Sequence, residues 1–134
     1  MKYLMKNNHA EIQPMINTMI QYCEKQCISD EIIQDMYLVL EEILTNIIKY
    51  AYDDDLEHEV VIDIEKDAES LQFRVENDGK PFDSTEFYNP DVEKDFDDRE
   101  IGGMGIHLIR SLMDEMKYEF SQGRNILIVK KILH

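Results

Sequence analysis

Glu42 and Asn46 stand four residues apart, and Asn77-Asp78-Gly79 and Gly102-Gly103-Met104-Gly105 follow them along the chain. A carboxylate and an amide at i and i+4 share one face of a helix. There the carboxylate can take a proton from an attacking hydroxyl, and the amide oxygen can ligate a hard cation such as Mg²⁺. A glycine cluster that opens a helix offers free N–H groups and the positive helix end to phosphate oxygens. Asn77, at the end of a strand, can accept a hydrogen bond from an exocyclic amine and donate another. Gly79 permits a sharp exit and a close backbone approach to a ligand. Each piece suits one part of a magnesium nucleotide. Two cations, Lys49 and Arg99, lie close in sequence to the proposed phosphate site.

Other chemistries fit poorly. The glycine cluster is not followed by the Gly-Lys-Ser/Thr of a Walker A loop, and no strand leads into it as a dinucleotide fingerprint requires. The four histidines form no ligand-spaced pair. Cys23 and Cys27 have no second pair and no histidine nearby, so they read as reduced thiols on a helix. The acidic run from Asp91 to Glu100 lacks the glycine and closing glutamate of a calcium loop and reads as a solvated lid.

The net charge of −15 over 134 residues disfavours nucleic acid and anionic membranes, which need a basic surface. No apolar run approaches the roughly 20 residues of a membrane span. The N-terminus lacks a secretory apolar core, so a cytoplasmic protein is expected. The length suits one domain, 1–134.

Helical spacing of Ile12, Met15, Ile16, Met19, Ile20 and Cys23 predicts a helix from about Ala10 to Gln26, after a short strand at Tyr3–Lys6. Ser29 or Asp30 caps a second helix that runs to about Ala51, with Ile33, Met36, Leu40, Ile43, Leu44 and Ile47 as its apolar row. Glu42 and Asn46 fall on a stripe flanking that row. Alternation predicts strands at Val60–Ile64 and Leu71–Asn77, the second with Leu71, Phe73, Val75 and Asn77 inward. Asp78 to Gly102 is acidic and reads as a long lid. A third helix is predicted over Gly105–Met116, then strands at Lys117–Ser121 and Asn125–Ile132 that turn at Gly123. Short turns make the pairings antiparallel, and the helices are too few to cover both faces. The fold class is therefore α/β: a two-layer sandwich, its sheet mixed but mostly antiparallel, with helices on one face.

The ordered set Glu42-Ile-Leu-Thr-Asn46, Asn77-Asp-Gly79-Lys-Pro-Phe82-Asp83, Gly102-Gly-Met-Gly105-Ile-His-Leu-Ile109 and Gly123-Arg-Asn125 resembles the Bergerat-type ATPase domain. Within it, the chain is most similar to bacterial anti-sigma-factor serine kinases. The resemblance covers nearly the whole chain. It implies ATP and Mg²⁺ as cofactors, Glu42 as general base for a serine hydroxyl and Asn46 as magnesium ligand. It also places Lys49, Asn77, Gly79, Arg99, Gly102, Gly103, Met104, Gly105 and Asn125 around the nucleotide. It implies a homodimer, a sigma factor or other regulator as partner, and a small anti-anti-sigma-type protein as phosphorylation substrate. A non-catalytic ATP-sensing module that sequesters a regulator fits the same residues. Where that family carries an aspartate for the adenine amine, this chain has Asn77. Its amide oxygen is expected to accept the same bond more weakly, because hydrogen bonds to charged groups are stronger.

Overall fold

Capping residues and apolar spacing shape the elements of the described residues. The computed structural model describes residues 1–83 and 109–133. In order these are β1 (Lys2–Lys6), α1 (Ile12–Lys25), α2 (Asp30–Tyr50), β2 (Glu59–Lys66), β3 (Ser70–Asn77), β4 (Glu115–Ser121) and β5 (Arg124–Ile132), with a 3₁₀ turn at His9–Glu11. Between β3 and β4, 109–112 is helical.

The break between α1 and α2 is written in local chemistry. Cys27 takes the left-handed conformation, with φ 59°. Ile28 N–H reaches back to Cys23 O and Cys27 N–H to Glu24 O, each at 3.0 Å. These are the paired bonds of a Schellman stop. Ser29 then caps α2, its hydroxyl accepting from Ile32 N–H, and Asp30 and Glu31 face the positive helix end. Cys27 is therefore past the helix rather than on it. Cys23 is buried, and that burial pushes its thiol up to about 11. It is inert packing.

The strands form one sheet in the order β1-β2-β3-β5-β4. Every pairing among the described residues is antiparallel. The inward set Val60, Ile62, Ile64, Leu71, Phe73, Val75, Leu127 and Val129 packs with Met15, Met19, Met36, Leu40 and Leu44 of the helices. The other face carries polar side chains, among them Arg74 and Arg124, both paired with Glu76. A one-residue slip of β3 would turn Phe73 and Val75 to water, so burial fixes the register. The result is the expected two-layer sandwich. Among the described residues no helix is long and apolar enough to cross a membrane.

One expected element is corrected. The third helix was expected to reach Met116, but its helical stretch ends at 112 and β4 begins at Glu115. Met113 and Met116 continue the helical spacing, yet Met116 and Tyr118 also alternate inward. They pair opposite Val129 and Leu127 of β5. Ladder pairing along β5 outweighs a last helical turn.

β4 and β5 turn through Gln122 (φ 53°) and Gly123 (φ 76°). Two successive positive φ angles are the signature of a two-residue turn that matches strand twist.

Candidate nucleotide site

The C-terminal ends of α2 and β3 meet at one point. Lys80 N–H donates to Ala51 O at 2.9 Å. A Cβ on Gly79 would lie 2.3 Å from Ala51 O and 2.8 Å from Ala51 Cβ. The close backbone approach expected of Gly79 is thus made to the end of α2. That contact sets α2 and its side chains against the exit of β3.

On α2, Asn46 Nδ2 donates to Glu42 Oε1 at 3.3 Å. Asn46 is buried although polar, and Glu42 is half-buried. The bond turns the amide oxygen away from the carboxylate. Among the described residues no three His, Cys, Asp or Glu gather as a metal cage. The amide oxygen of Asn46 is of the hard-oxygen type that Mg²⁺ accepts as a ligand. Lys49, in the last turn of α2, is exposed. Arg99, Gly102, Gly103, Met104 and Gly105 lie outside the described residues, as do most of the acidic lid and His107.

Beside the stripe is a small cavity of about 20 Å³, lined by Ile43, Ile47, Val75, Asn77, Phe82 and Tyr118, with Asn125 and Leu127 completing it. That volume holds about one water. The Phe82 ring, stacked on Tyr50 with centroids 5.6 Å apart, helps to fill the rest. A base is larger than this space, so the lining must shift to admit one.

The polar wall of the cavity is a network of two buried amides. Asn125 Nδ2 donates to Lys80 O at 2.8 Å, Gly79 O at 3.3 Å and Asn77 Oδ1 at 3.0 Å. Asn125 Oδ1 accepts from Phe82 N–H at 2.9 Å and from the Tyr118 hydroxyl. Asn77 Oδ1 also accepts from Gly79 N–H at 3.0 Å. Asn77 does face inward, as its strand phase requires, and Asp78 faces the other way. Its amide oxygen, however, is already committed to protein donors. In this arrangement the oxygen expected to meet an exocyclic amine accepts from Gly79 N–H and Asn125 Nδ2.

Tyr118, Ile43 and Ile47 line the cavity although they were not among the expected site residues, and Phe82 of the quoted motif lines it too. The alternation of Met116 and Tyr118 with the charged Glu115, Lys117 and Glu119 was the available signal for Tyr118.

Asp78 belongs to a second cluster. His58 Nε2 lies 2.7 Å from Asp54 Oδ1, and its Nδ1 lies 3.3 Å from Asp78 Oδ1. Tyr52 stacks on the imidazole with centroids 4.2 Å apart. The bond to Asp54 raises the His58 pKa above its ordinary value, with Asp78 adding to the rise, and His58 holds Asp54 below its own. Burial and the neighbouring Asp78 raise that of Tyr52. A raised histidine contributes stability that is complete below its unfolded pKa and fades as pH climbs through the folded one. Wild-type melting temperature should therefore fall relative to His58→Gln as pH climbs above about 6.5. Parallel pH profiles for the two proteins would contradict the clamp.

A roomier groove, about 440 Å³, is lined by Lys6, Asn7, His9, Asp54, Asp55 and Glu57 among others. Its three carboxylates would repel phosphate. Size alone therefore does not place the nucleotide there.

Residues 6–131 match the histidine kinase-like ATPase domain. The serine-protein kinase RsbW of Listeria monocytogenes is 31% identical over 108 residues, which is 78% of this chain and 69% of that protein. The RsbW kinase of Bacillus cereus is 30% identical over 105 residues, 75% of this chain and 64% of its own length. The SiaB–SiaC complex from Pseudomonas aeruginosa contains a chain of the same fold, with TM-score 0.59 at 15% identity, covering 99% of this chain and 89% of that one. The family match spans nearly all of the sequence, and this chain belongs to the histidine kinase-like ATPase domain family.

Proposed function

We propose that the chain, as one cytoplasmic domain spanning 1–134, is a nucleotide-dependent serine kinase of the anti-sigma type. It phosphorylates a small antagonist protein and, when that antagonist is absent or modified, holds a sigma factor or comparable regulator. The observation that carries this reading is the Glu42–Asn46 pair, bonded at 3.3 Å beside the Asn77 cavity. The named kinase activity of the RsbW relatives supports it.

In the reaction, the serine Oγ of the antagonist bonds to the γ-phosphorus, and the bond from that phosphorus to the β–γ bridging oxygen breaks. The hydroxyl proton passes to the Glu42 carboxylate, and the nucleoside diphosphate leaves. Mg²⁺, when bound, supplies charge neutralisation to the phosphates, with Asn46 as its protein ligand. By the family resemblance, Lys49 and Arg99 are the cations assigned to the phosphates. A homodimer is the assembly expected by analogy with the family.

Nucleotide binding tests the first step. A ligand that binds only the folded state raises melting temperature by linkage. Millimolar ATP with Mg²⁺ should raise it by several degrees, and EDTA or Asn46→Ala should remove the magnesium-dependent part. A melting curve indifferent to nucleotide, metal and mutation would contradict the reading.

A further inference from the structure

The amide network fixes which end of Asn77 meets the cavity. Asn125 can be placed only one way round. Its Nδ2 sits against two backbone carbonyls, Lys80 O and Gly79 O, while its Oδ1 sits against the backbone N–H of Phe82. Flipping it would set oxygen against oxygen and N–H against N–H. Asn125 Nδ2 therefore donates to Asn77, which fixes Asn77 in turn. Gly79 N–H donates to the same Asn77 oxygen. The two lone pairs of that oxygen are thus both engaged.

What Asn77 has left is its NH₂ group. Asn77 is 3% exposed and lines the cavity, and among the described residues this NH₂ has no hydrogen-bond partner. The one uncommitted polar group that Asn77 brings to the cavity is a donor. A purine amine is also a donor, so adenine would meet Asn77 donor to donor through its C6 substituent. A carbonyl oxygen at the same position is an acceptor and matches.

We infer that the cavity selects a 6-oxopurine nucleotide over an adenine nucleotide, with Asn77 as the specificity-determining residue. This rests on the reading that the cavity receives the base. A carboxylate at position 77 would keep one oxygen toward Gly79 N–H and Asn125 Nδ2. Its second oxygen would stand where the NH₂ group now stands, ready to accept from an amine. One atom's identity therefore sets the base preference.

ITP and ATP share ribose and triphosphate and differ at C6 and its neighbouring ring nitrogen. Calorimetry with Mg²⁺ should show wild type binding ITP roughly five- to tenfold more tightly than ATP, the factor that one matched hydrogen bond supplies. Asn77→Asp should reverse the order, with its melting temperature recorded to confirm folding. The wild-type comparison stands alone should the variant unfold. Equal or tighter ATP binding by wild type overturns the inference and leaves nucleotide binding intact. A preference for ITP that survives Asn77→Asp in a folded variant overturns the role of Asn77. Heat from neither nucleotide overturns this inference and the proposed function together.

Discussion

Glu42→Gln is expected to lower phosphate transfer to the antagonist by roughly 10²–10⁴-fold, the usual contribution of a positioned general base. Glutamine keeps the side-chain length and an oxygen that can still accept from Asn46 Nδ2 at the observed 3.3 Å. The helix, the cavity and the magnesium ligand are therefore left in place, and only the proton acceptor is lost. Nucleotide affinity should change little. The assay is transfer of labelled γ-phosphate from nucleotide to antagonist, wild type beside mutant. Equal transfer by both would remove Glu42 from the chemistry. No transfer by wild type, with nucleotide binding proven, would leave the sequestering module as the surviving account.

Gly79→Ala should cost about 3 kcal/mol of stability, at the upper end of the usual overpacking range. The added methyl would stand 2.3 Å from Ala51 O, a backbone atom that cannot swing aside as a flexible side chain would. The displaced backbone also carries bonds to Asn77 and Asn125. In a domain of this size the loss corresponds to a fall of roughly 10 °C in melting temperature. Gly123→Ala provides the contrast. Gly123 has φ 76° but nothing within 4 Å of a new Cβ, so only backbone strain of about 1 kcal/mol is expected. Equal falls for the two variants would contradict the packing argument.

Those two glycines also mark what a sequence can reveal. Gly123 ends a run of strand alternation, and its turn is local chemistry, so it was legible. The cap at Ser29, the apolar row of α2 and the inward phase of Asn77 were legible for the same reason. Each depends on neighbours within one turn or one pleat. The contact that constrains Gly79 lies 28 positions away at Ala51, and periodicity is silent about it. Asn77 and Asn125 are cross-strand partners 48 positions apart. Without that pairing, either end of the Asn77 amide could have faced a ligand. The His58 clamp was missed for a related reason. Its two carboxylates are of no metal-binding pattern, and Asp78 joins it only because β3 ends beside the segment that leads into β2. The third helix was overextended because Met113 and Met116 satisfy both helical spacing and strand alternation. Pairing with β5 decides between them.

In the proposed function the cavity beside α2, bounded by Asn77 and Asn125, receives the nucleotide base. Amide-resolved NMR during titration with Mg²⁺ and ITP or ATP tests it most directly. The side-chain NH₂ signals of Asn77 and Asn125 and the backbone signals of Gly79 and Phe82 should shift together and saturate, with Asn46 following when Mg²⁺ is added. Shifts confined to the acidic groove at Lys6–His9 and Asp54–Glu57, with Asn77 and Asn125 unmoved at saturation, would contradict it.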